Sequence, residues 1–237
     1  SIKQSVKRFR VFGVGFDVSI GYSYLDEKNS FEEAFRTAEN VMYRRKLTER
    51  KSRKSTALGT IMETMHEKTE ETEDHCRRVG SYASELLRVV GRKRDYEIEE
   101  IRLISDVHDI GKISISDYIL SKTESLTKEE YNAIKYHSES GYKIISNIIE
   151  NEDIAIAVLY HHEKYDGSGY PHGLVGEDIP LYSRIIAICD AYDAMTTDRV
   201  YRKAMTKKHA VKELEKNKDT QFDPHLVDLF VKILKKW

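Results

Sequence analysis

The chain has 237 residues, of which 40% are hydrophobic and 33% charged, and its formal net charge at pH 7 is −1. This length suits one large domain or a domain with an appendage, and the apolar fraction suffices for a sizeable core. Interspersed acidic and basic residues with almost no net charge argue against binding a nucleic-acid polymer or an anionic membrane through bulk attraction.

The lack of a recognisable targeting signal and the low cysteine content favour a cytoplasmic protein. No apolar run approaches the ~20 residues needed to cross a bilayer, and no signal-peptide pattern opens the chain. The two cysteines, Cys76 and Cys189, both lie in apolar periodic stretches. A disulfide framework is therefore not expected, and we predict that both cysteines are small core residues in a reducing compartment.

The N-terminal stretch combines strand and helix signals. Residues 9–24 are rich in β-branched and aromatic residues and are interrupted by glycines, which predicts one or two strands. Ser30 followed by Glu33 is a capping-box pattern, and the apolar residues after it recur with a helical period. Residues 47–54 are nearly all charged or polar, which is typical of a solvated helix or a linker.

Two runs in this stretch resemble the C-terminal end of a GGDEF (diguanylate cyclase) domain: Val18-Ser19-Ile20-Gly21, and Ala38 through Lys46. The resemblance covers about residues 11–46, and the Gly-Gly-Asp/Glu-Glu-Phe motif is absent. A fragment of this kind cannot be a cyclase. We expect residues 1–54 to be a C-terminal remnant of a GGDEF-like domain followed by a helical linker.

Residues 55–66 carry an amphipathic helical stripe formed by Leu58, Ile61, Met62 and Met65. A stripe of this spacing is typical of a packing seam, which faces either the core or a second copy of the chain. We predict a homodimer on the basis of this stripe.

The rest of the chain predicts one helix after another. Thr127 with Glu130 is a second capping box, and Asp223-Pro224 is a favourable N-cap and first helical residue. The only strand-like material precedes residue 25. We therefore predict a mostly α-helical domain over residues 55–237, preceded by a short β-α fragment, with helices over 71–90, 97–109, Thr127 towards Ile149, 153–163, 180–195, 206–216 and from Asp223 onward.

Residues with metal-binding chemistry are concentrated around His161–Pro171, which reads His-His-Glu-Lys-Tyr-Asp-Gly-Ser-Gly-Tyr-Pro. Adjacent histidines cannot share one helical face, so core packing explains at most one of them. His108-Asp109, followed by Ile-Gly-Lys112, and Asp190 add further donors. Histidines with carboxylates form a ligand set for hard or borderline divalent ions.

Individually, several candidates have simpler explanations. Glu71 and His75 are four residues apart on a predicted helix and would face the core, where a metal would offset the cost of a buried carboxylate. A surface glutamate beside a core histidine explains that pair equally well. His137 alone is more typical of an ordinary helical histidine, and Lys112 could be a surface lysine instead of a partner for a phosphate or a carboxylate.

His108-Asp109 together with Gly169-Tyr170-Pro171 makes the chain resemble the HD-GYP phosphodiesterases over about residues 60–236. The resemblance implies two or three divalent ions, and a third ion would depend on the glutamate. Five neutral imidazoles favour Fe or Mn over Mg. The implied metal ligands are Glu71, His75, His108, Asp109, His137, His161, His162 and Asp190.

The same resemblance implies hydrolysis of cyclic di-GMP to the linear dinucleotide pGpG, and in some members onward to GMP, by a metal-bridged hydroxide. Asp109 and Lys112 are the implied catalytic residues. The implied substrate contacts are Lys112, Gly169, Tyr170, Pro171, Arg199 and Arg202.

Other functions stay open on the sequence. One is a catalytically weak cyclic di-GMP sensor or interaction module that works with GGDEF-type domains. Another is an HD-type phosphohydrolase that acts on a different nucleotide, and cyclic GMP-AMP would present phosphates similar to those of cyclic di-GMP. The complete ligand set together with Lys112 favours the enzyme.

Overall fold

The computed structural model describes residues 10–11, 14–15, 20–24, 30–69, 72–198 and 203–236, with backbone alone for 10–11, 14–15 and 44–56. The chain divides into two compact units: Ser1–Thr56 with Arg94–Tyr96, and Ala57–Lys93 with Glu97–Trp237. Across the described residues, no helix has both the length and the apolar composition that a membrane crossing requires.

The fold is mostly α-helical, which confirms the predicted class. Short 3₁₀ turns at Ile110–Ser114 and Gly176–Asp178 interrupt the helical succession. In the described part of the chain the remaining elements are, in order, β1 (Arg10–Val11), β2 (Val14–Gly15), α1 (Phe31–Lys68), α2 (Glu73–Val89), α3 (Asp95–Val107), α4 (Asp117–Leu120), α5 (Lys128–Lys135), α6 (His137–Ile148), α7 (Glu152–Tyr160), α8 (Leu181–Thr196), α9 (Lys207–Lys216) and α10 (Pro224–Leu234).

In the first unit, β1 and β2 pair antiparallel, with Arg10 opposite Gly15. Within the described residues of the stretch 9–24, strand structure is limited to this pair. α1 begins with the capping box predicted at Ser30 and Glu33. The Glu33 carboxylate accepts from the Ser30 amide at 2.9 Å, and the Ser30 hydroxyl accepts from the Glu33 amide at 3.2 Å.

α1 continues without interruption from Phe31 to Lys68, so the polar run that was predicted as a helical linker forms one helix with the segments on either side of it. The polar run 47–54 contains neither glycine nor proline, and its lysine, arginine and glutamate residues are good helix formers. In the second unit, the amphipathic stripe near the end of α1 packs against the core, with Met65 fully buried. The core therefore accounts for the stripe, and the homodimer stays a prediction.

The core of the second unit is built around α2, which packs against α8 and α10. Its buried residues Val79, Ala83, Leu86 and Leu87 follow the helical period that the sequence showed. Where the three helices meet, the rings of Tyr82, Tyr192 and Phe230 contact one another edge to face, with centroids 5.3 to 5.9 Å apart. Such mutual edge contacts add to the stabilisation from burial.

Helix ends follow the local signals in most places. α5 has the predicted capping box of Thr127 and Glu130, and Asp223 caps α10 by accepting from two amides of its first turn. One prediction was wrong in detail: the helix expected from Thr127 towards Ile149 is two helices, α5 and α6, which are separated at Tyr136.

A glycine allows the segment after α3 to lie directly on α6. A Cβ atom at Gly111 would lie 1.9 Å from the carbonyl oxygen of His137 and 2.5 Å from the amide nitrogen of Gly141. No side chain larger than hydrogen fits between two backbones at these distances. Gly111 therefore sets how closely His108-Asp109 approaches His137.

Gly111→Ala should lower the free energy of unfolding by roughly 1–3 kcal/mol or more, because overpacking forces the two backbones apart. Chemical denaturation measures the change. Gly59→Ala is the matched control, since a Cβ there meets nothing within 4 Å and alanine favours a helix by up to about 1 kcal/mol. Equal stability of Gly111→Ala and the parent protein would contradict the close approach.

Candidate metal centre

The candidate donors reach one region of the second unit from several helices. His108-Asp109 directly follows α3, His137 is the first residue of α6, and His161-His162 directly follows α7. His75 lies in the first turn of α2, and Asp190 lies within α8. Residues more than 100 positions apart in the sequence thus meet at one place.

These residues form two groups, in each of which the ligand atoms lie within 4.8 Å of one another. We call the first group cluster 1 and the second cluster 2. Most of the seven side chains are buried, whereas His162 and Asp190 are partly exposed. Cluster 1 comprises Asp109, His137, His161 and His162, and cluster 2 comprises His75, His108 and Asp190.

The Asp109 carboxylate lies between the two clusters. Its Oδ1 is 3.1 Å from Nε2 of His137 in cluster 1, and its Oδ2 is 3.3 Å from Nε2 of His108 in cluster 2. The Lys112 ammonium donates to the same Oδ2 at 2.7 Å. The two oxygens of one carboxylate can therefore serve both clusters.

Three of the histidines are oriented by the same local hydrogen bond. His108, His137 and His161 each donate Nδ1–H to the carbonyl three residues earlier, those of Ser105 at 2.8 Å, Ile134 at 2.6 Å and Val158 at 2.6 Å. A carbonyl only accepts, so the proton is on Nδ1 and the Nε2 lone pair is available to a ligand. This arrangement is typical of metal-binding histidines.

The three accepting carbonyls belong to the last turns of α3, α5 and α7, where helical carbonyls lack an intrahelical partner. Each histidine therefore caps the helix that precedes it. The same helix ends carry partial negative charge, which stabilises nearby cations.

Buried imidazoles face one another in cluster 1. Nε2 of His137 and Nε2 of His161 are 3.3 Å apart. Burial lowers the pKa of His161 to about 4, and burial together with the neighbouring His161 lowers the pKa of His162 well below its ordinary value. Both rings are therefore neutral at pH 7, and a shared cation would offset the repulsion between convergent lone pairs.

Asp109 supplies negative charge to the same place. Burial alone would raise the pKa of its carboxyl, but Lys112 and His108 outweigh burial and hold that pKa well below its ordinary value. An ionised carboxylate among neutral imidazoles is a suitable donor set for a divalent transition metal. The chemistry of the donors in both clusters therefore fits bound metal ions.

His75 of cluster 2 is oriented by a carboxylate from another helix. Its Nδ1 is 2.7 Å from Oδ2 of Asp193, and its Nε2 is 3.4 Å from Oδ1 of Asp190. Arg78 holds Asp193 with two hydrogen bonds of 2.6 and 2.9 Å. Burial raises the pKa of Asp193, but the bonds from His75 and Arg78 overcome that effect and lower it.

Asp193 was missed on the sequence alone. Its available signal was the spacing in Cys-Asp-Ala-Tyr-Asp, which puts Asp190 and Asp193 on the same face of α8. The contact with His75 spans 118 positions, so no local pattern could identify the partner.

The glycine-containing loop after His162 is held by Glu163, a second residue that the sequence did not single out. Its buried carboxylate accepts from the amides of His172 at 2.7 Å, Gly173 at 3.0 Å and Leu174 at 3.2 Å. A Cβ atom at Gly169 would lie 2.2 Å from the amide nitrogen of Lys164, so the loop folds back tightly on itself. The available signal was the position of Glu163 directly after the two histidines.

This loop places an aromatic ring beside cluster 1. The Tyr170 ring lies 4.9 Å from the His162 ring at an interplanar angle of 32°. The Tyr170 amide donates to the carbonyl of His162 at 3.3 Å, which fixes the loop on the second histidine. Pro171 continues the loop past this ring.

The structure brings together seven of the eight predicted metal ligands, with Lys112 and Tyr170 beside them. Three predicted residues, Glu71, Arg199 and Arg202, lie outside the described residues.

A family model described as HD domain matches residues 60–226. The Cyclic di-GMP phosphodiesterase response regulator RpfG of Xanthomonas campestris is 44% identical over 140 residues, covering 56% of this chain and 37% of the relative. A Cyclic di-GMP phosphodiesterase of Thermotoga maritima is 36% identical over 170 residues, covering 70% and 45%. The 3'3'-cGAMP-specific phosphodiesterase 2 of Vibrio cholerae is 36% identical over 173 residues, covering 72% and 32%.

Solved structures share the fold. A crystal structure of the cyclic GMP-AMP specific phosphodiesterase V-cGAP3 of V. cholerae matches with a TM-score of 0.55 at 18% identity, covering 74% of this chain and 47% of that one. The phosphodiesterase PgpH HD domain of L. monocytogenes matches with a TM-score of 0.54 at 17% identity, covering 73% and 94%. The chain spans less than half the length of the three curated relatives described above.

Asp193→Asn should weaken metal binding by about 10- to 100-fold, because the amide no longer fixes the proton of His75 on Nδ1 and binds Arg78 less strongly. Competition with a chelator, read out as bound metal, measures the change. Asp228→Asn is the control, since Asp228 forms an exposed ion pair with Lys218. Undiminished affinity in Asp193→Asn would show that His75 needs no such support.

The free energy of unfolding of the metal-free protein should decrease as the pH is lowered, because of His161. Its folded pKa of about 4 lies below its ordinary value of 6.5, so the unfolded chain binds the proton more tightly. The contribution is fully present above pH 6.5 and is lost towards pH 4, by roughly 3 kcal/mol at most. Urea unfolding of chelator-treated protein measures this, and His161→Gln should flatten the curve. Constant stability between pH 7 and 5 would contradict the neutral, buried imidazole.

Proposed function

The chain belongs to the HD domain family, and on this basis we propose that it is a metal-dependent phosphodiesterase that hydrolyses cyclic di-GMP to pGpG. The observation that carries the proposal is the convergence of histidine Nε2 atoms and the Asp109 carboxylate at two adjoining clusters. The curated relatives support the substrate class, since their names describe phosphodiesterases of cyclic dinucleotides. We further propose that the chain is of the HD-GYP type, with Gly169-Tyr170-Pro171 as the second motif.

We assign one divalent ion to cluster 1 and one to cluster 2, with Asp109 shared between them. Their imidazole-rich donors favour Fe or Mn. When bound, divalent ions at these clusters would supply a water made nucleophilic at neutral pH and would neutralise the charge of a phosphate. A third ion would need Glu71, which lies outside the described residues.

The chain's own residues then have distinct roles. Asp109 remains ionised beside Lys112, and it contributes one oxygen to each cluster. Lys112 keeps about a fifth of its side chain accessible and is positioned to contact a phosphate that approaches Asp109. Tyr170 places an aromatic ring beside His162, and Glu163 holds the loop that carries it.

Further features of the sequence remain proposals. We propose that residues 1–54 derive from a GGDEF-like domain, that Arg199 and Arg202 contact substrate phosphates, and that the protein forms a homodimer in the cytoplasm. We also propose that the reaction continues to GMP and that the protein interacts with GGDEF-type domains.

A second substrate has specific support. Two relatives from Vibrio cholerae, at 36% and 34% identity, are named 3'3'-cGAMP-specific phosphodiesterases. Cyclic GMP-AMP carries the same pair of phosphodiesters and differs in one base. The metal centre alone cannot discriminate between the two, because it would act on the phosphate that both share.

Anaerobic reconstitution with Fe(II) or Mn(II), followed by incubation with cyclic di-GMP or 3'3'-cGAMP, tests the proposal. Products are separated by chromatography, and metal is quantified on the same sample. We expect cyclic di-GMP to be converted to pGpG in a reaction that a chelator stops. Tight binding without product at full metal occupancy would instead identify a sensor, and turnover of cGAMP alone would reassign the substrate.

Asp109→Ala should abolish turnover and reduce bound metal, because both clusters lose a shared ligand while Lys112 loses its partner. Metal analysis and product formation are measured together. Asp228→Asn serves again as a control that removes one carboxylate without touching the centre. A variant with undiminished metal content would remove Asp109 from the ligand set.

A further inference from the structure

A lysine lies between two tyrosine rings at the end of α5. The Nζ atom of Lys135 is 4.7 Å from the centroid of the Tyr131 ring and 5.3 Å from the centroid of the Tyr170 ring. Tyr131 lies one helical turn before Lys135, and 48% of it is exposed. Two aromatic faces therefore hold one ammonium group through cation–π attraction.

Ion pairing distinguishes Lys135 from other lysines of the chain. Within the part of the chain that the structure describes, Lys135 forms no ion pair, although Lys112, Lys122 and Lys68 each pair with an acidic side chain. An ammonium is a compact charge with three donors and no acceptor, and an anionic oxygen is its natural ligand. The aromatic rings fix the position of this charge without neutralising it.

The lysine is linked to the metal centre through the Tyr170 ring. That ring contacts both the Lys135 ammonium and the ring of His162, a member of cluster 1, whose centroid is 4.9 Å from that of Tyr170. The ammonium of Lys135 is thus one ring away from cluster 1. It is also distinct from Lys112, which contacts Asp109 directly.

We infer that Lys135, held between Tyr131 and Tyr170, binds the second, non-scissile phosphodiester of a cyclic dinucleotide. The inference rests on the proposed function. A cyclic dinucleotide carries two phosphodiesters in one small ring, so the second must lie close to the centre when the first is at Asp109. A positioned cation beside the centre contacts the second phosphate without having to be ordered first.

Lys143 provides a matched comparison within the same chain. Its Nζ lies 5.1 Å from the centroid of the Tyr136 ring and donates to the Tyr136 hydroxyl at 2.8 Å. Like Lys135 with Tyr131, this pair is a lysine ammonium on a tyrosine ring, but its ring is not part of the loop beside His162. Substitution of Lys143 therefore controls for the loss of one positive charge and one cation–π contact.

The test compares cyclic di-GMP with bis(p-nitrophenyl) phosphate, which carries a single phosphodiester, on the Mn(II)-reconstituted protein. In Lys135→Gln, the KM for cyclic di-GMP relative to that for bis(p-nitrophenyl) phosphate should rise about tenfold or more, as expected for loss of a charge-assisted hydrogen bond. Lys135→Arg keeps the charge and should restore most of the affinity. Lys143→Gln should leave both KM values unchanged.

The outcomes separate this inference from the proposed function. Suppose that the parent protein cleaves cyclic di-GMP and that Lys135→Gln has the same ratio of KM for cyclic di-GMP to KM for bis(p-nitrophenyl) phosphate as the parent. This result would overturn the subsite and leave the proposed function intact. A parent protein that cleaves bis(p-nitrophenyl) phosphate but neither binds nor cleaves cyclic di-GMP would overturn both. A fall in kcat with an unchanged KM ratio would also overturn the subsite, because it would place Lys135 in the chemical step.

Discussion

The metal centre depends on a hydrogen bond made three times, from a histidine Nδ1 to a carbonyl in the last turn of the preceding helix. At His108, His137 and His161 this bond satisfies a helix end and fixes the tautomer at once. Because the donor and acceptor are three residues apart, the ring orientation is set locally. What the fold must supply is the convergence of three helix ends, and the close approach at Gly111 contributes to it.

His75 needs a different solution because it lies in the first turn of its helix instead of after the end. Its Nδ1 is fixed by Asp193 of α8, and Asp193 is fixed in turn by Arg78, one turn after His75 on α2. Cluster 2 therefore depends on the packing of α2 against α8, which the rings of Tyr82 and Tyr192 reinforce. Cluster 1 depends mainly on local bonds, and Asp109 joins the two.

The sequence predicted what local patterns encode. The helical class, the capping boxes and the His-Asp and His-His pairs follow from spacing within a few residues, and the structure has them. Asp193 and Glu163 were not identified, because their roles arise from contacts that only the folded chain creates. The helical linker over 47–54 was predicted as well, and it merges with its neighbours into one α1 because nothing in this charged run ends a helix. The break between α5 and α6 at Tyr136 was not predicted, because no glycine or proline marks it in the sequence.

Anomalous diffraction from crystals of the Mn(II)-reconstituted protein tests the central claim most directly, since it locates the ions independently of turnover. We expect one peak surrounded by Asp109, His137, His161 and His162, and a second surrounded by His75, His108 and Asp190, with Asp109 contacting both. A protein that binds Mn(II) but shows its anomalous peaks away from these side chains would contradict the assignment. A single peak in cluster 1 would contradict the shared role of Asp109.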